Sequence, residues 1–272
     1  MRMLFCGDVV GRSGREAVTS RLPALRRRHG IDFVVVNGEN AAAGFGITEA
    51  ICREFFAAGV DVVTTGNHLF DKREIVSTLA AEPRLLRPAN YPPGTPGQGA
   101  TAFTLADGRR VVVANLMTRL FMDPLDCPFA AIDALLPAHP MGAGAAAAIL
   151  VDVHGEATSE KMAMGHHLDG RVSAVFGSHS HVPTADAQIL SRGTAYQTDA
   201  GMCGDYDSVI GMRKEGAVAR FVKKVPGERL SPADGEGTMC GVFVATDDAT
   251  GLALSVAPVR LGGRLMQSHP PD

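Results

Sequence analysis

Tryptophan is absent from the 272-residue chain and tyrosine occurs only three times, so no aromatic-rich basic platform for single-stranded nucleic acid is available. Charge of one sign is lacking too, because 26 basic against 29 acidic side chains leave a net charge of −3. That excludes capture of nucleic acid or an anionic membrane by bulk charge, leaving only local patches. No stretch reaches the ~18–20 consecutive apolar residues of a membrane span; the alanine-rich run over 145–151 comes nearest. Cys6, Cys52, Cys127, Cys203 and Cys240 contain no C-x-x-C pair, which argues against a disulfide framework and for a reducing compartment. Asp8 interrupts the start before an h-region can form, so no signal peptide is expected. The expectation is a soluble, cytoplasmic protein whose length suffices for a full core, organised as one domain over residues 1–272.

The first two-thirds alternate short apolar runs with segments of helical period. Met3–Cys6, Phe33–Val36 and Val60–Thr64 read as buried strands. They are followed by helices over Gly14–His29, Ile47–Ala58 and Asp71–Ala81, with Gly30 and Gly59 as stops for the first two. Such β-α alternation predicts a mainly parallel sheet covered by helices. Hairpins are then expected at Thr101–Leu105 with Arg110–Ala114, at Gln188–Leu190 with Thr194–Gln197, and at Met239–Ala245 with Leu252–Val259. Ala147–Val153 and Val172–Phe176 read as strands, separated by a helix at Ser159–Leu168. The least regular stretch, 204–237, holds a helix at Glu215–Lys224 and is a candidate cap or interface segment. The tail from Gln267 is expected to fray. The class is α/β, with antiparallel strands in the second half that suggest a two-sheet sandwich.

What ends the strands is more informative than the strands themselves. Successive apolar runs finish in Asp8, in Glu39-Asn40, in Asn67-His68, in His154, and in His179-Ser180-His181. Ligands bind at the carboxyl ends of parallel strands, and imidazole, carboxylate and amide oxygen together suit borderline divalent metals. Any one of these side chains alone has a bland explanation as a cap or a packed residue. The remaining histidines, His29, His139, His166, His167 and His269, are assigned to that class. The seven candidates Asp8, Glu39, Asn40, Asn67, His154, His179 and His181 exceed what one ion needs, and suit two ions about 3.5–4 Å apart.

Gly7-Asp8, Gly66-Asn67-His68 and Ser178-His179-Ser180-His181 resemble the G-D, G-N-H and G-H-x-H signature of the metallophosphoesterase (calcineurin-like) superfamily. The segments 37–48, 115–117, 123–129, 154–161 and 201–208 are similar to its bacterial YmdB-type subgroup. The resemblance spans essentially the whole chain and implies a four-layer α/β/β/α sandwich with mixed sheets. It also implies a dinuclear metal-dependent phosphodiesterase of small cyclic nucleotides, 2′,3′-cyclic nucleoside monophosphates in particular. By this resemblance Asp8, Asn40 and His181 hold one ion, Asn67, His154 and His179 hold the other, and Glu39 bridges them. Two departures stand out: Val10 occupies the place of a usual histidine, and the bridging carboxylate is Glu39 rather than Asp. Asn40 then replaces the missing imidazole, and the harder site points to iron or manganese ahead of zinc.

In that chemistry a metal-bridging hydroxide attacks phosphorus while His68, beside a ligand but not one, protonates the leaving oxygen. Asp152 and Asp199 are candidates for orienting histidine ligands. Arg12 and Ser13, opening the first helix, are candidate substrate contacts. Arg119, Phe121 and Tyr206 are candidates for approaching a base or ribose, with core packing the competing explanation for the two aromatics. The expected partner is a small nucleotide-like phosphodiester, without membrane or an extended nucleic-acid footprint, and a homo-oligomer stays open. The alternatives are a phosphomonoesterase or nucleotidase, and a metal-binding regulatory scaffold without turnover.

Overall fold

The computed structural model describes residues 1–223 and 229–271. The first part runs β1 (Arg2–Cys6), β2 (Asp8–Val9), α1 (Gly11–His29), β3 (Phe33–Asn37), α2 (Glu49–Ala57), β4 (Val62–Thr64) and α3 (Ile75–Ala81). There follow β5 (Ala100–Thr104), β6 (Arg110–Met117), α4 (Pro128–Leu135), β7 (Ala148–His154), α5 (Thr158–Leu168) and β8 (Ala174–Ser178). The last part contains β9 (Gln188–Ile189), β10 (Ala195–Gln197), β11 (Met202–Cys203), α6 (Lys214–Lys223), β12 (Met239–Thr246) and β13 (Ala253–Leu261).

Two mixed sheets form the centre, one ordered β13-β12-β1-β3-β4 and the other β5-β6-β7-β8-β10-β9. In the first, β1, β3 and β4 are mutually parallel and the terminal hairpin adds antiparallel strands at one edge. In the second, β6, β7, β8 and β10 are parallel, with antiparallel β5 and β9 at the edges. Side-chain alternation along each strand separates three apolar layers. Met3, Phe5, Phe33 and Val35 face Val111, Val113, Leu150 and Phe176 between the sheets. Leu4, Cys6, Val34 and Val36 instead pack under α1 and α2. Val112, Ala114, Ile149 and Val151 pack under α4 and α5. Phe5 and Phe176 join the sheets directly, with ring centroids 5.9 Å apart. The order helix, sheet, sheet, helix is the four-layer sandwich expected.

Differences from the sequence reading are local and physical. Helix α1 starts at Gly11 rather than Gly14, and Gly30 stops it in the left-handed conformation with φ 56°. Thr48 caps α2 by accepting from the Ile51 N–H. Helix α4, missed in the sequence, begins with Pro128 in the first turn, where the absent N–H costs nothing. The tail is tied down as far as Pro271, contrary to the expectation: Ser268 and Arg260 exchange backbone hydrogen bonds, and Pro271 O lies 3.3 Å from His29 Nδ1, while Asp272 lies outside the described residues. Helix α6 agrees with expectation up to Lys223, and Lys224 lies outside the described residues. Among the described residues, no helix is long and apolar enough to cross a membrane.

Candidate metal centre

Because β1, β3 and β4 run parallel, Asp8, Glu39 and Asn67 leave the first sheet at one edge. The ends of β7 and β8 bring His154 and His179 to the same place from the second sheet. His154 Nε2 lies 3.0 Å from Glu39 Oε1, 3.0 Å from Asn67 Oδ1 and 3.1 Å from His179 Nδ1. The ligand atoms of Glu39, His154 and His179 all fall within 4.8 Å of one another. Gly66 makes this approach feasible, since a Cβ there would lie 2.1 Å from His154 Cδ2 and 2.5 Å from Glu39 Oε2.

Hydrogen bonds fix how the imidazoles face. The Ser178 hydroxyl donates to Asp152 Oδ1 at 2.6 Å, so its oxygen accepts from His154 Nδ1 at 2.9 Å. That arrangement directs Nε2 at the cluster. His179 directs Nε2 at Glu156 Oε2, 3.1 Å away, and keeps Nδ1 on the cluster side. His181 Nδ1 donates to Ile210 O at 2.8 Å, leaving its Nε2 free. His179 and His181 have φ of 97° and 65°, a backbone arrangement that costs on the order of 1–3 kcal/mol per residue. Lys161 anchors that strained segment: its Nζ donates to Ser178 O at 2.6 Å and to Asp199 Oδ2 at 2.8 Å. Asp199 in turn accepts from the Ser180 and Gly201 N–H groups.

Asp8 Oδ1 and Asn40 Oδ1 are buried without a hydrogen-bond partner, and Glu39 Oε1 meets only His154 Nε2. Each such oxygen costs about 1–3 kcal/mol if nothing positive meets it, and more when ionised. Positive charge is attracted here. Burial opposes protonation of His154, but Glu39 and Asp8 override it and push its pKa up to about 9. Burial would also raise Glu39, yet His154 and His68 draw it down to about 2. Desolvation and the neighbouring His154 lower His179 to about 3, which keeps it a neutral donor. A divalent cation can take the place of the proton on His154, and buried oxygens beside imidazole nitrogens are a donor set that fits one.

The cluster opens into a cavity of about 290 Å³, lined by Glu39, Asn40, His68, Glu156, His179, Ser180 and His181 and closed by the apolar side chains of Phe45, Ile210, Met212 and Leu230. His68 donates its backbone N–H to Glu39 Oε2, and its Nδ1 lies 2.8 Å from Asp71 Oδ2. Arg12 and Ser13 are not brought to this cavity, contrary to the expectation. Ser13 is buried and donates to Gly235 O, while Arg12 pairs with Glu16 in solvent. Asp199 orients the backbone of the histidine segment rather than a ring, whereas Asp152 reaches His154 through Ser178. Phe121 is 88% exposed, which removes core packing as its explanation, and the Arg119 N–H is held by Glu160. The Tyr206 hydroxyl lies 3.2 Å from His181 O, under the segment and not in the cavity lining. Ser178, Asn37 and Thr64 were missed: Asn37 Nδ2 and Thr64 Oγ1 both donate to Asp152 Oδ2.

Comparison with known proteins bears on the same residues. A Bacillus subtilis (strain 168) protein, 2′,3′-cyclic-nucleotide 2′-phosphodiesterase, is 46% identical over 256 residues, covering 94% of this chain and 95% of its own. A Thermus thermophilus protein described as hypothetical superposes with a TM-score of 0.89 at 44% identity, over 96% of this chain and 99% of that one. A Mycoplasma pneumoniae protein described as a novel phosphatase gives 0.88 at 30% identity, over 96% and 93%. The model of the YmdB-like protein family matches residues 4–259, and with donors converging from both sheets inside that span, the chain belongs to the YmdB-like family.

Proposed function

We propose that the chain is a dinuclear metal-dependent phosphodiesterase of small cyclic nucleotides, with 2′,3′-cyclic nucleoside monophosphates as its substrates. The reading rests above all on the convergence of Glu39, Asn67 and His179 on His154 Nε2, beside the buried Asp8 and Asn40 Oδ1 atoms that lack hydrogen-bond partners. The name of the Bacillus subtilis relative supports the substrate class. In this reading Asp8, Asn40 and His181 would hold one ion and Asn67, His154 and His179 the second, with Glu39 completing the ligand set. Iron or manganese suits the oxygen-rich first set better than zinc. When bound, the ions supply charge neutralisation at the phosphoryl oxygens and an acidified water.

The chain's own groups do the rest. His68, whose Nδ1 is held by Asp71, presents Nε2 for proton delivery to the ribose oxygen that leaves as the ring opens. Water adds to phosphorus, the P–O2′ bond breaks, and O2′ takes the proton. Of residues 204–237, the described ones act as a cap within a single domain, residues 224–228 lying outside the described residues, and the free thiols suit work in a reducing cytoplasm.

The test is hydrolysis of 2′,3′-cyclic AMP by protein reconstituted with manganese or iron, with 3′,5′-cyclic AMP and a phosphomonoester alongside. Two ions per chain and a clear preference for the 2′,3′-cyclic diester are expected. Preference for the monoester would replace the diesterase with a phosphatase, and no turnover with two ions bound would sink the enzymatic reading.

A further inference from the structure

Residues Val209–Met212 form a tight two-residue turn, in which Val209 N–H donates to Met212 O at 2.9 Å and Met212 N–H to Val209 O at 3.0 Å. Its central residues, Ile210 and Gly211, have φ of 49° and 90°, as a type I′ turn requires. Asn, Asp or Gly ordinarily takes the first central place. A β-branched residue there is a steric outlier. Burial does not offset the misfit, because Ile210 is 55% exposed. The known duty of the turn does not explain it either: Ile210 holds His181 through its backbone carbonyl, which any residue supplies.

The Ile210 side chain instead borders the cavity beside the metal centre, with Phe45, Met212 and Leu230. These four side chains carry no hydrogen-bonding group and make one continuous apolar wall. Val10, Met202 and Met212 form its buried base, with Phe45 and Leu230 packed against them. Gly211 sits so close over Val10 that a Cβ would lie 2.6 Å from Val10 Cγ1. The position where the superfamily usually has a histidine thus supports the wall. Phe45 also meets the His68 ring edge-on at 5.2 Å, which ties the wall to the proton donor.

We propose that this wall is a nucleobase subsite, and that Ile210 is retained in a strained turn because its exposed side chain packs on the face of the base. The assignment rests on the cyclic-nucleotide reading above. A planar ring with apolar faces fits a wall without donors or acceptors, so the subsite registers the presence of a base and not its identity.

The experiment compares Ile210→Asn with the natural chain, both manganese-loaded, by calorimetric binding of adenosine 3′-monophosphate and of ribose 3-phosphate, together with thermal unfolding. The natural chain should bind the nucleotide more tightly than the sugar phosphate, and the variant should lose about tenfold of that preference. The four nucleoside 3′-monophosphates should bind alike. Relief of the turn should leave the unfolding temperature unchanged or raise it by about 2–4 °C. Equal affinity for nucleotide and sugar phosphate in the natural chain would overturn the proposal. So would an unchanged preference in Ile210→Asn, or a lowered unfolding temperature, which would make Ile210 a packing residue. Binding is read without turnover, so a chain that discriminates in this way but hydrolyses nothing breaks the enzymatic reading and leaves the subsite standing.

Discussion

Past the ends of first-sheet strands come Asp8, in the short β2 paired with β11, and Glu39, Asn40 and Asn67, all candidate oxygen ligands; from the ends of second-sheet strands come His154, His179 and His181, all imidazoles. The two groups are supported differently. Asp8 Oδ1 and Asn40 Oδ1 have no hydrogen-bond partner and Glu39 Oε1 meets only His154, while His154 and His181 each have Nδ1 pinned by a second group. A carboxylate or amide oxygen needs only to be aimed, but an imidazole must also have its proton placed on the right nitrogen. The supporting residues accordingly gather on the second sheet. Even Asn37 and Thr64, which belong to the first sheet, reach across to Asp152. Asp152 itself is pushed up to about 6 by burial, against the pull of His154, Ser178 and Thr64.

The widest gap between the two sheets should open between His68→Ala and His154→Ala. His68 is a proton donor in our proposal and not a ligand, so its removal should lower kcat by about 10²–10⁴ with metal content intact. His154→Ala should lose metal as well as rate, and equal metal content in the two variants would contradict the division. Metal analysis beside steady-state kinetics decides the matter.

Support on the second sheet is probed next by Lys161→Met. Both partners of the Lys161–Asp199 pair are almost fully buried, and stranding the Asp199 charge should cost about 3–5 kcal/mol in denaturant unfolding. Adding Asp199→Asn should recover part of that loss, as a double-mutant cycle would report.

The smallest effect is the acid dependence of the same pair. Burial would raise Asp199, but Lys161 and the Gly201 and Ser180 N–H groups hold its carboxyl below the usual carboxylate range. A depressed folded pKa contributes stability above the unfolded value of ~3.9, which is lost as pH falls through the folded one. The penalty of Lys161→Met should therefore be largest near neutral pH and shrink as pH falls below ~4. A penalty independent of pH would mean that packing of the lysine stem, not its charge, supports the segment.

The first-sheet donors and the histidines were both legible in the sequence because each follows an apolar run short enough to be a strand, with polar residues of metal-binding type at its end. The supporting groups were not. Ser178, Thr64 and Asn37 are small polar residues inside or at the end of strands, ordinary one by one, and they acquire meaning only through contacts 26 to 115 positions away. Arg12 and Ser13 failed for another reason. With α1 starting at Gly11, Ser13 turns inward to Gly235 and Arg12 lies one turn from Glu16. The strain at Ile210 was also out of reach, since a Val-Ile-Gly-Met string gives no sign that its second residue has a positive φ.

The donors are spread from Asp8 near the beginning of the chain to His181, well past its midpoint. During synthesis the oxygen half emerges first and stays incomplete until β7 and β8 are made and dock. A growing chain therefore has no finished cluster until the second sheet has packed on the first through their shared apolar layer.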